Sequence, residues 1–279
     1  MINQFVPSTL KEALEILSKN DCYIMSGGTD LMVQKHKSSG LLPNFDKSVL
    51  YVLNLKELDY IKEDKENIYV GSETRFIELL NSEIIPDIFK TVIKEIASPA
   101  IRNMATMAGN IANASPAGDS IVPLNLFNAR VKLQSLKNIR EVLVKDFILG
   151  VRKTDRHIDE MITEIIIPKT DLVFSYTKVG SRKAESITKV SFMGAYKVEK
   201  GIVTDLRICF GSVATKVVRS PEIERKYSQI SVNELRARVD DIINEYDWLV
   251  SPITDQRSTK EYRKKVAFNL LRVFLKSIK

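Results

Sequence analysis

The chain has 279 residues, of which 44% are hydrophobic and 28% are charged. These proportions are close to the average for soluble globular proteins and exclude disordered and fibrous classes. At this length the chain can bury a substantial core, and we expect it to divide into two domains or subdomains.

Lysine and arginine outnumber aspartate and glutamate by 42 to 35, an excess that can attract anionic partners. The basic residues are spread along the chain, and the run at 263–265 lies on a predicted helix between apolar positions. We therefore expect a solvated helical face and no nucleic-acid binding. The N-terminal residues 1–7 show no targeting pattern, and no apolar run approaches membrane-spanning length, which predicts a cytoplasmic protein with no membrane partner.

The only cysteines, Cys22 and Cys209, lie far apart in apolar runs and are expected to be buried thiols. The only histidines are His36 and His157. This set is too small for a zinc site or for an iron–sulfur cluster held by this chain alone. Redox chemistry would therefore need an organic cofactor.

The first half of the chain is expected to alternate between short strands and helices. Thr9 and Glu12 have the spacing of a capping box and predict a helix that continues to about Ser18. The following residues predict a small βαβ-like unit and then further elements: a strand at 22–25, a helix to about 35, strands at 49–53 and 68–71, and helices near 76–80 and 86–97.

In the second half, Asp119 is placed to cap a helix over about 121–127, and strands are expected at 131–133, 142–144 and 161–167. A hinge is predicted at 168–172. Beyond it, residues 174–178 alternate as a strand, and 190–198 and 202–210 form a hairpin that turns at 199–201. Two final helices are predicted from apolar stripes, formed by Leu235, Val239, Ile242, Ile243 and Tyr246 and by Tyr262, Val266, Leu270, Phe274 and Ile278.

Two stretches suggest a ligand site. Ser26–Asp30 follows an apolar strand with paired glycines, a pattern that can present consecutive amides to a phosphate but also occurs in ordinary strand-to-helix turns. Residues 101–119 show neither strand nor helix periodicity and carry small and amide side chains, which predicts a buried loop. Such a loop either approaches a ligand closely or packs against its own domain.

Taken together, these stretches closely resemble the FAD-binding medium subunit of the molybdenum hydroxylases, the family of xanthine dehydrogenase and carbon monoxide dehydrogenase. Ser26–Leu31 resembles the family's first flavin motif, usually Ala-Gly-Gly-Thr-Asp-Leu, and Thr106–Asn110 resembles the second, usually Thr-Ile-Gly-Gly-Asn. Arg182 and the stretch Asp255–Arg263 match signatures of the family's C-terminal domain. The resemblance covers the whole chain.

The resemblance implies an α+β fold in which a two-subdomain FAD-binding domain of the vanillyl-alcohol-oxidase/PCMH type precedes a C-terminal domain of a small antiparallel sheet plus helices. The domains would span residues 1–170, with subdomains of about 1–55 and 56–170, and residues 171–279. By matching positions, the implied contacts to a noncovalent FAD are Ile24, Met25, Ser26, Gly27, Gly28, Thr29, Asp30, Ile96, Ala105, Thr106, Gly109, Asn110, Asn113, Asp119, Ile162 and Lys178.

Two positions need separate mention. Ala108 stands where the family usually has glycine, so the backbone there is less free to adopt a positive φ or to approach the pyrophosphate as closely, and we expect altered affinity rather than lost binding. Lys178 could lie near the pyrimidine end of the flavin, with Ile96 and Ile162 packed on the ring. From the residues alone, an exposed position on an alternating strand is the favoured interpretation of Lys178.

The implied function is electron transfer. Substrate would be oxidised at a molybdopterin cofactor on a large partner chain, and electrons would pass through iron–sulfur clusters on a small partner chain to FAD here and then to NAD or another acceptor. No side chain is expected to act as a catalytic group or metal ligand. Two alternatives are a self-contained flavin oxidase of the vanillyl-alcohol oxidase type, disfavoured by the lack of a flavin-linking His or Cys, and a non-enzymatic nucleotide-binding module.

Overall fold

The protein is described by a computed structural model that covers residues 2–36, 38 and 41–279. Its strands are β1 (Gln4–Phe5), β2 (Cys22–Met25), β3 (Ser48–Tyr51), β4 (Ile61–Glu63), β5 (Asn67–Gly71), β6 (Arg130–Gln134), β7 (Ile139–Leu143), β8 (Ile148–Gly150), β9 (Lys153–Thr154), β10 (Met161–Pro168), β11 (Val173–Val179), β12 (Val190–Glu199), β13 (Ile202–Gly211), β14 (Val218–Arg219) and β15 (Ile230–Ser231).

The helices are α1 (Leu10–Leu17), α2 (Leu31–Lys35), α3 (Phe76–Asn81), α4 (Asp87–Lys94), α5 (Pro99–Arg102), α6 (Met107–Asn113), α7 (Ile121–Leu126), α8 (Val144–Phe147), α9 (Pro221–Lys226), α10 (Val232–Ala237), α11 (Val239–Tyr246) and α12 (Lys260–Ser277), with a 3₁₀ turn at Lys56–Leu58. The mixture of helices with largely antiparallel sheets is the expected α+β class.

The chain forms two compact units that do not follow the linear sequence. Unit 1 runs to Pro86 and also contains residues 97–114 and 129–169, whereas unit 2 contains residues 87–96, 115–128 and 170–279. Two short segments of the first half therefore belong to the unit built mainly from the C-terminal residues. The domain boundaries expected near residues 55 and 170 stay a prediction.

Unit 1 contains a three-stranded parallel sheet and a five-stranded antiparallel sheet. The parallel sheet has the order β1-β3-β2, with Ile24 beside Leu50, so the expected βαβ unit at its N-terminal end is confirmed. The antiparallel sheet has the order β4-β5-β10-β6-β7. Its central strand β10 is nearly all apolar because both of its faces are buried. The side chain of Thr9 caps α1 by accepting from the Glu12 amide, as the sequence predicts.

Unit 2 is built on the long hairpin β12–β13, which also pairs with β11, β14 and β15. The turn between the two strands places Lys200 and Gly201 at positive φ, so the predicted hairpin is confirmed. Gly194 in β12 lies under the ring of Phe274, and a Cβ at this glycine would come within 2.5 Å of the ring. The sheet and helix α12 thus meet at a contact that only glycine permits.

Helix α7 is the most apolar helix of unit 2, and all six of its residues are buried. It packs against β12 and β13. The carbonyl oxygens at its C-terminal end accept hydrogen bonds from two guanidinium groups: Arg219 donates to Asn125 O at 2.6 Å and Arg207 donates to Leu126 O at 3.1 Å. Side chains from β13 and β14 therefore satisfy acceptors that a helix end leaves open.

Two expectations about helices are wrong. Residues 101–119 are not one irregular loop, because α5 ends at Arg102 and α6 occupies Met107–Asn113. The stripe predicted for α12 is confirmed at Phe274 and Ile278, which are buried, but it is wrong at Tyr262, which is 45% exposed. The neighbouring position faces the core because Arg263 is held there by hydrogen bonds to buried loop carbonyls.

Candidate functional site

The glycine loop, Ser26–Asp30, follows strand β2 in unit 1 as the sequence predicts. Gly28 has φ +66°, a conformation that favours glycine, and its carbonyl accepts a hydrogen bond from the Met32 amide at 2.9 Å. Ile24 and Met25 form the end of the strand that leads into this loop, with Ile24 half-buried and Met25 buried.

Gly27, the residue before Gly28, lies against the second predicted motif. A Cβ at Gly27 would stand 1.9 Å from the carbonyl oxygen of Met104 and 3.1 Å from the Ala105 nitrogen. No side chain fits at such distances, so the two backbones meet directly at this point. Within unit 1, the structure brings together the two motifs that were identified separately in the sequence.

Backbone amides of the glycine loop are available to a ligand. Within the described residues, the N–H groups of Gly27, Gly28 and Thr29 donate to no protein acceptor, and these residues are only half-buried. Successive unpaired amides at one turn suit the acceptor-only oxygens of a phosphate or pyrophosphate. This arrangement fits the phosphate part of the FAD that the sequence implies.

The second motif begins at Thr106, whose side chain accepts from the Gly109 amide at 3.0 Å and caps α6. Ala105 accepts from the Phe76 amide at 2.9 Å, which fixes the segment beside α3. Ala108 is buried inside the helix and its φ is not positive, so the argument from backbone conformation does not apply at this position, and the argument from close approach to the pyrophosphate stays a prediction. Whether the affinity differs stays a prediction.

A polar cluster at the open side of these motifs contains two implied FAD contacts, Asp30 and Asn113. Arg152 donates to Asp30 at 3.3 Å and to Asn113 Oδ1 at 3.0 Å, while Gln34 donates to both side chains. Arg152 has φ +56° at the tip of the β8–β9 hairpin. The cluster is about half exposed, and its guanidinium places a positive charge beside both motifs.

Behind the glycine loop, the hydroxyl oxygens of Ser26 and Thr106 lie 3.4 Å apart. The carboxyl of Glu73 faces Ser26 and is only 3% exposed. Burial raises the pKa of Glu73, and the Ser26 and Ser72 hydroxyls partly oppose this as hydrogen-bond donors. A carboxyl that favours its neutral form thus lies directly under the first motif.

The remaining implied contacts of unit 1 lie near the same elements. Asn110 is half-buried on α6, and its amide donates to Thr106 O at 3.1 Å. Ile162 is buried in β10, where the pairing with β6 shifts register between Ile162 and Glu164. The structure does not place either residue against a ligand, and their roles stay predictions.

Three implied contacts, Ile96, Asp119 and Lys178, belong to unit 2. Asp119 does not cap α7 as predicted, because its carboxylate binds two other groups: Lys178 Nζ at 2.8 Å and the Thr188 hydroxyl. Lys178 also donates to Glu95 O at 2.7 Å. Both members of the ion pair are at least nine-tenths buried, so the alternative of an exposed Lys178 is wrong.

The surroundings of this pair are strongly desolvated. Burial raises the pKa of Asp119, while the Lys178 ammonium and the Thr188 hydroxyl oppose the shift. The hydroxyl of Tyr176, two residues before Lys178 on β11, is buried and has no hydrogen-bond partner among the described residues. Burial together with the carboxylates of Asp119 and Glu95 raises the pKa of that phenol far above its usual range.

The C-terminal signature residues have structural roles here. Arg263 is buried and donates to Lys189 O at 2.7 Å, to Ser212 O at 3.2 Å and to Asp255 at 2.8 Å. It joins α12 to the loops at the ends of β12 and β13. Arg182, in contrast, is exposed and donates to the nearby carbonyls of Ala184 and Glu185.

Sequence reasoning missed Glu73, Arg152 and Thr188. Glu73 precedes a predicted helix in a run of polar residues, and nothing local shows that it is buried. Arg152 lies in a hairpin that was not predicted. Among the described residues, no group of three or more His, Cys, Asp and Glu side chains is arranged to hold a metal ion, and no helix is long and apolar enough to cross a membrane.

Family models match almost the whole chain. Residues 1–170 match the FAD binding domain in molybdopterin dehydrogenase, and residues 175–278 match the CO dehydrogenase flavoprotein C-terminal domain. These matches define the class as a flavoprotein subunit of an oxidoreductase. The chain belongs to the FAD-binding subunits of the molybdenum hydroxylase family, which confirms the resemblance found in the sequence.

Curated relatives are of the same kind. The glyceraldehyde dehydrogenase medium chain of Sulfolobus acidocaldarius is 29% identical over 92% of this chain and 91% of the relative. The nicotinate dehydrogenase FAD-subunit of Eubacterium barkeri is 30% identical over 70% and 68%, and the xanthine dehydrogenase FAD-binding subunit of Escherichia coli O157:H7 is 26% identical over 92% and 88%.

Solved structures share the fold at lower identity. A chain of the reconstituted CO dehydrogenase from Oligotropha carboxidovorans superposes with a TM-score of 0.88 at 22% identity, over 98% of this chain and 96% of that one. A chain of quinoline 2-oxidoreductase from Pseudomonas putida 86 gives 0.85 at 18% identity, over 99% and 95%. These similarities confirm the expected α+β fold.

Proposed function

We propose that this chain binds FAD noncovalently and acts as the electron-transferring subunit of a molybdenum hydroxylase, with the iron–sulfur clusters and the molybdopterin held by partner chains. The observation that carries the proposal is the direct backbone contact between Gly27 and the Met104–Ala105 segment, next to three unpaired amides. FAD, when bound, supplies the redox chemistry.

In this proposal the glycine loop holds the pyrophosphate through its backbone, because the amides of Gly27, Gly28 and Thr29 have no acceptor in the part of the chain that the structure describes. The hydroxyls of Ser26 and Thr106 add side-chain donors beside them. Asp30 and Asn113, held in place by Arg152, are suited to bind hydroxyl groups of the same ligand.

The buried pair in unit 2 constrains what Lys178 can contribute. Because Asp119 lies 2.8 Å from its ammonium, the pair carries little net charge when both groups are ionised. We therefore expect Lys178 to influence the reduction potential of a nearby flavin less than an unpaired lysine would. Ile96, Ile162 and Lys178 remain proposed flavin contacts on the strength of the family resemblance.

The first test is whether the purified chain holds about one FAD per chain. Acid precipitation should release the yellow colour into the supernatant, because the proposed site holds FAD without a covalent bond. Gly27→Ala should take up no FAD, whereas Gly150→Ala is a matched control, since a Cβ at Gly150 would meet nothing within 4 Å. A folded wild-type chain that takes up no added FAD would contradict the proposal.

The second test concerns electron transfer and partners. NADH should bleach the flavin of the isolated chain, while purines and nicotinate should not, because their oxidation needs the absent molybdopterin chain. Purification from the native host should recover an iron–sulfur chain and a molybdopterin chain together with this one. Substrate turnover by the chain alone would instead favour a self-contained flavin oxidase. NAD as acceptor and a cytoplasmic location are further parts of the proposal.

A further inference from the structure

A buried carboxyl with one unsatisfied oxygen lies beneath the glycine loop. Glu73 follows β5, and its amide donates to Leu58 O at 3.0 Å, which fixes the residue in unit 1. Its Oε1 accepts from the Ser72 hydroxyl at 3.0 Å. Its Oε2 is buried and has no partner with hydrogen-bond geometry among the described residues. A buried carboxylate with an unsatisfied oxygen is costly, which favours a neutral acid.

Two polar side chains, Ser26 and Thr106, connect this carboxyl to both flavin motifs. The Ser26 hydroxyl faces Glu73, where it partly opposes the rise in the pKa of the carboxyl. Ser26 Oγ also lies 3.4 Å from Thr106 Oγ1, which accepts from the Gly109 amide at 3.0 Å. The order Glu73, Ser26, Thr106 therefore runs from the buried acid to the N-terminus of α6.

The number of hydrogens on Ser26 decides what this arrangement can do. A serine hydroxyl has one hydrogen and two lone pairs. If Glu73 is ionised, it can only accept, and the Ser26 hydrogen is directed to it. If Glu73 is neutral, its own O–H can donate to Ser26, and Thr106 can donate to the second lone pair. The Ser26 hydrogen is then free for another acceptor.

A pyrophosphate offers only acceptors, so it needs the second arrangement. We infer that Glu73 is a positioning residue for the ligand phosphates: as a neutral acid it donates to Ser26, and Ser26 then donates to the pyrophosphate. This inference rests on the proposed function, since it assumes that FAD phosphates bind at the glycine loop. Glu73 acts through Ser26 and does not touch the ligand.

The charges around Glu73 lead to a coupling between FAD binding and a proton. Among the described residues, the side chains that act on the carboxyl are Ser26, Ser72 and Asp59, and Asp59 is itself an acid. Burial already holds the pKa of Glu73 above its ordinary value in the free protein. A bound pyrophosphate brings further negative charge and raises that pKa again. Binding is therefore accompanied by proton uptake in the interval between the two pKa values.

The proton uptake determines the direction in which FAD affinity changes with pH. FAD binds most tightly below the pKa of free Glu73, where the acid is already neutral. The affinity falls as pH rises through the interval and reaches its lowest value above the pKa of the complex. The decrease is about tenfold for each pKa unit that separates the two states.

The test uses the full-length chain freed of FAD. FAD affinity is measured by flavin fluorescence over a pH series that begins at the ordinary pKa of a glutamate side chain and extends upward, and proton uptake is measured by titration calorimetry in two buffers of different ionisation enthalpy. Wild type should bind more weakly as pH rises and should take up a proton. Glu73→Gln keeps a neutral donor to Ser26, so it should bind as tightly at high pH as wild type does at low pH, with no proton uptake.

Two further variants serve as controls. Ser26→Ala should lose the tighter binding at low pH, because the hydroxyl that donates to the phosphate is gone. Glu164→Gln removes another buried carboxyl of unit 1, which pairs with Lys62 and Lys132, and should keep the wild-type pH profile. Circular dichroism checks that each variant is folded, and if Glu73→Gln is not, the loss of the tighter low-pH binding in Ser26→Ala decides the question together with proton uptake by wild type.

The outcomes distinguish failure of FAD binding by the chain from failure of the role inferred for Glu73. If wild type binds no FAD at any pH, the proposed function itself fails. If wild type binds FAD with constant affinity and without proton uptake, FAD binding stands and the role of Glu73 is overturned. A Glu73→Gln variant that keeps the wild-type pH dependence would likewise overturn it and assign the proton to another group.

Discussion

The glycine loop of unit 1 and the ion pair of unit 2 are polar sites built in opposite ways. The first depends on missing side chains, since Gly27 allows direct contact between two backbones and leaves amides open. The second depends on two full charges, Asp119 and Lys178, that are buried together. A backbone site tolerates no added atom, whereas a buried ion pair tolerates no missing partner.

The largest effect on stability is expected at the ion pair. Lys178→Met leaves the Asp119 carboxylate buried without its cation and should lower the free energy of unfolding by about 3–5 kcal/mol. Urea unfolding measures this. Asp119→Asn combined with Lys178→Met should recover part of the loss, because no charge then stays unpaired.

The stability of the Lys178→Met variant is also expected to depend on pH. Without Lys178, only the Thr188 hydroxyl still opposes the effect of burial on Asp119, so its pKa rises further and the folded protein binds the proton more tightly than the unfolded chain. The stability of Lys178→Met relative to wild type should therefore improve as pH falls and worsen as pH rises. A loss that is the same at every pH would show that removing Lys178 does not change the protonation of Asp119.

The next largest effect is expected at the backbone contact. Gly27→Ala places a Cβ 1.9 Å from Met104 O, so the segments must separate, at a cost of about 1–3 kcal/mol in unfolding free energy. FAD binding should be lost, because the amides and the second motif no longer meet. If the variant keeps wild-type FAD affinity, the contact is not part of the site.

A smaller effect is expected one residue further along. Gly28→Ala forces an L-residue into φ +66°, which costs about 1–2 kcal/mol, while the nearest atom, Met25 Sδ at 3.0 Å, belongs to a flexible side chain. Thermal unfolding should show a modest decrease, with weakened but measurable FAD binding. A decrease as large as that of Gly27→Ala would mean that space, not φ, limits this position.

The smallest effect is expected at the exposed cluster. Arg152→Ala removes a half-exposed ion pair with Asp30 and should change the unfolding free energy by only about 0.2–1 kcal/mol. The loss of FAD affinity that Arg152→Ala causes should be larger at low ionic strength than at high ionic strength, because salt screens the interaction of exposed charges. Equal losses at both ionic strengths would indicate a lost contact rather than a lost charge.

The two sites also differ in how far the sequence predicted them. The glycine loop was predicted because a position that needs a positive φ or a close backbone approach accepts only glycine, and glycine is visible in the sequence. The burial of Lys178 was not decided, because alternation along β11 shows that the strand has two faces but not what covers each. Helix α6 was missed since its small residues, Met107–Asn113, give no amphipathic pattern.

The choice of the buried face of α12 likewise could not be predicted from the sequence alone. A helix with apolar residues on several sides offers more than one possible stripe, and the sheet selects among them. The residue that fixes the choice is Arg263, a charged side chain whose carbonyl partners lie 51 and 74 positions away in sequence. Only long-range contacts could have identified it.

The distribution of unit 2 along the chain has a consequence for protein synthesis. Helix α7 leaves the ribosome before the strands that cover it, since Arg207, which meets its last carbonyl, comes 81 residues later. At roughly 5–20 residues per second, that delay is on the order of 4–16 s. During this interval the six residues of α7, most of them apolar, are not yet covered by β12 and β13. The nascent chain therefore exposes an apolar segment that a ribosome-associated chaperone can bind.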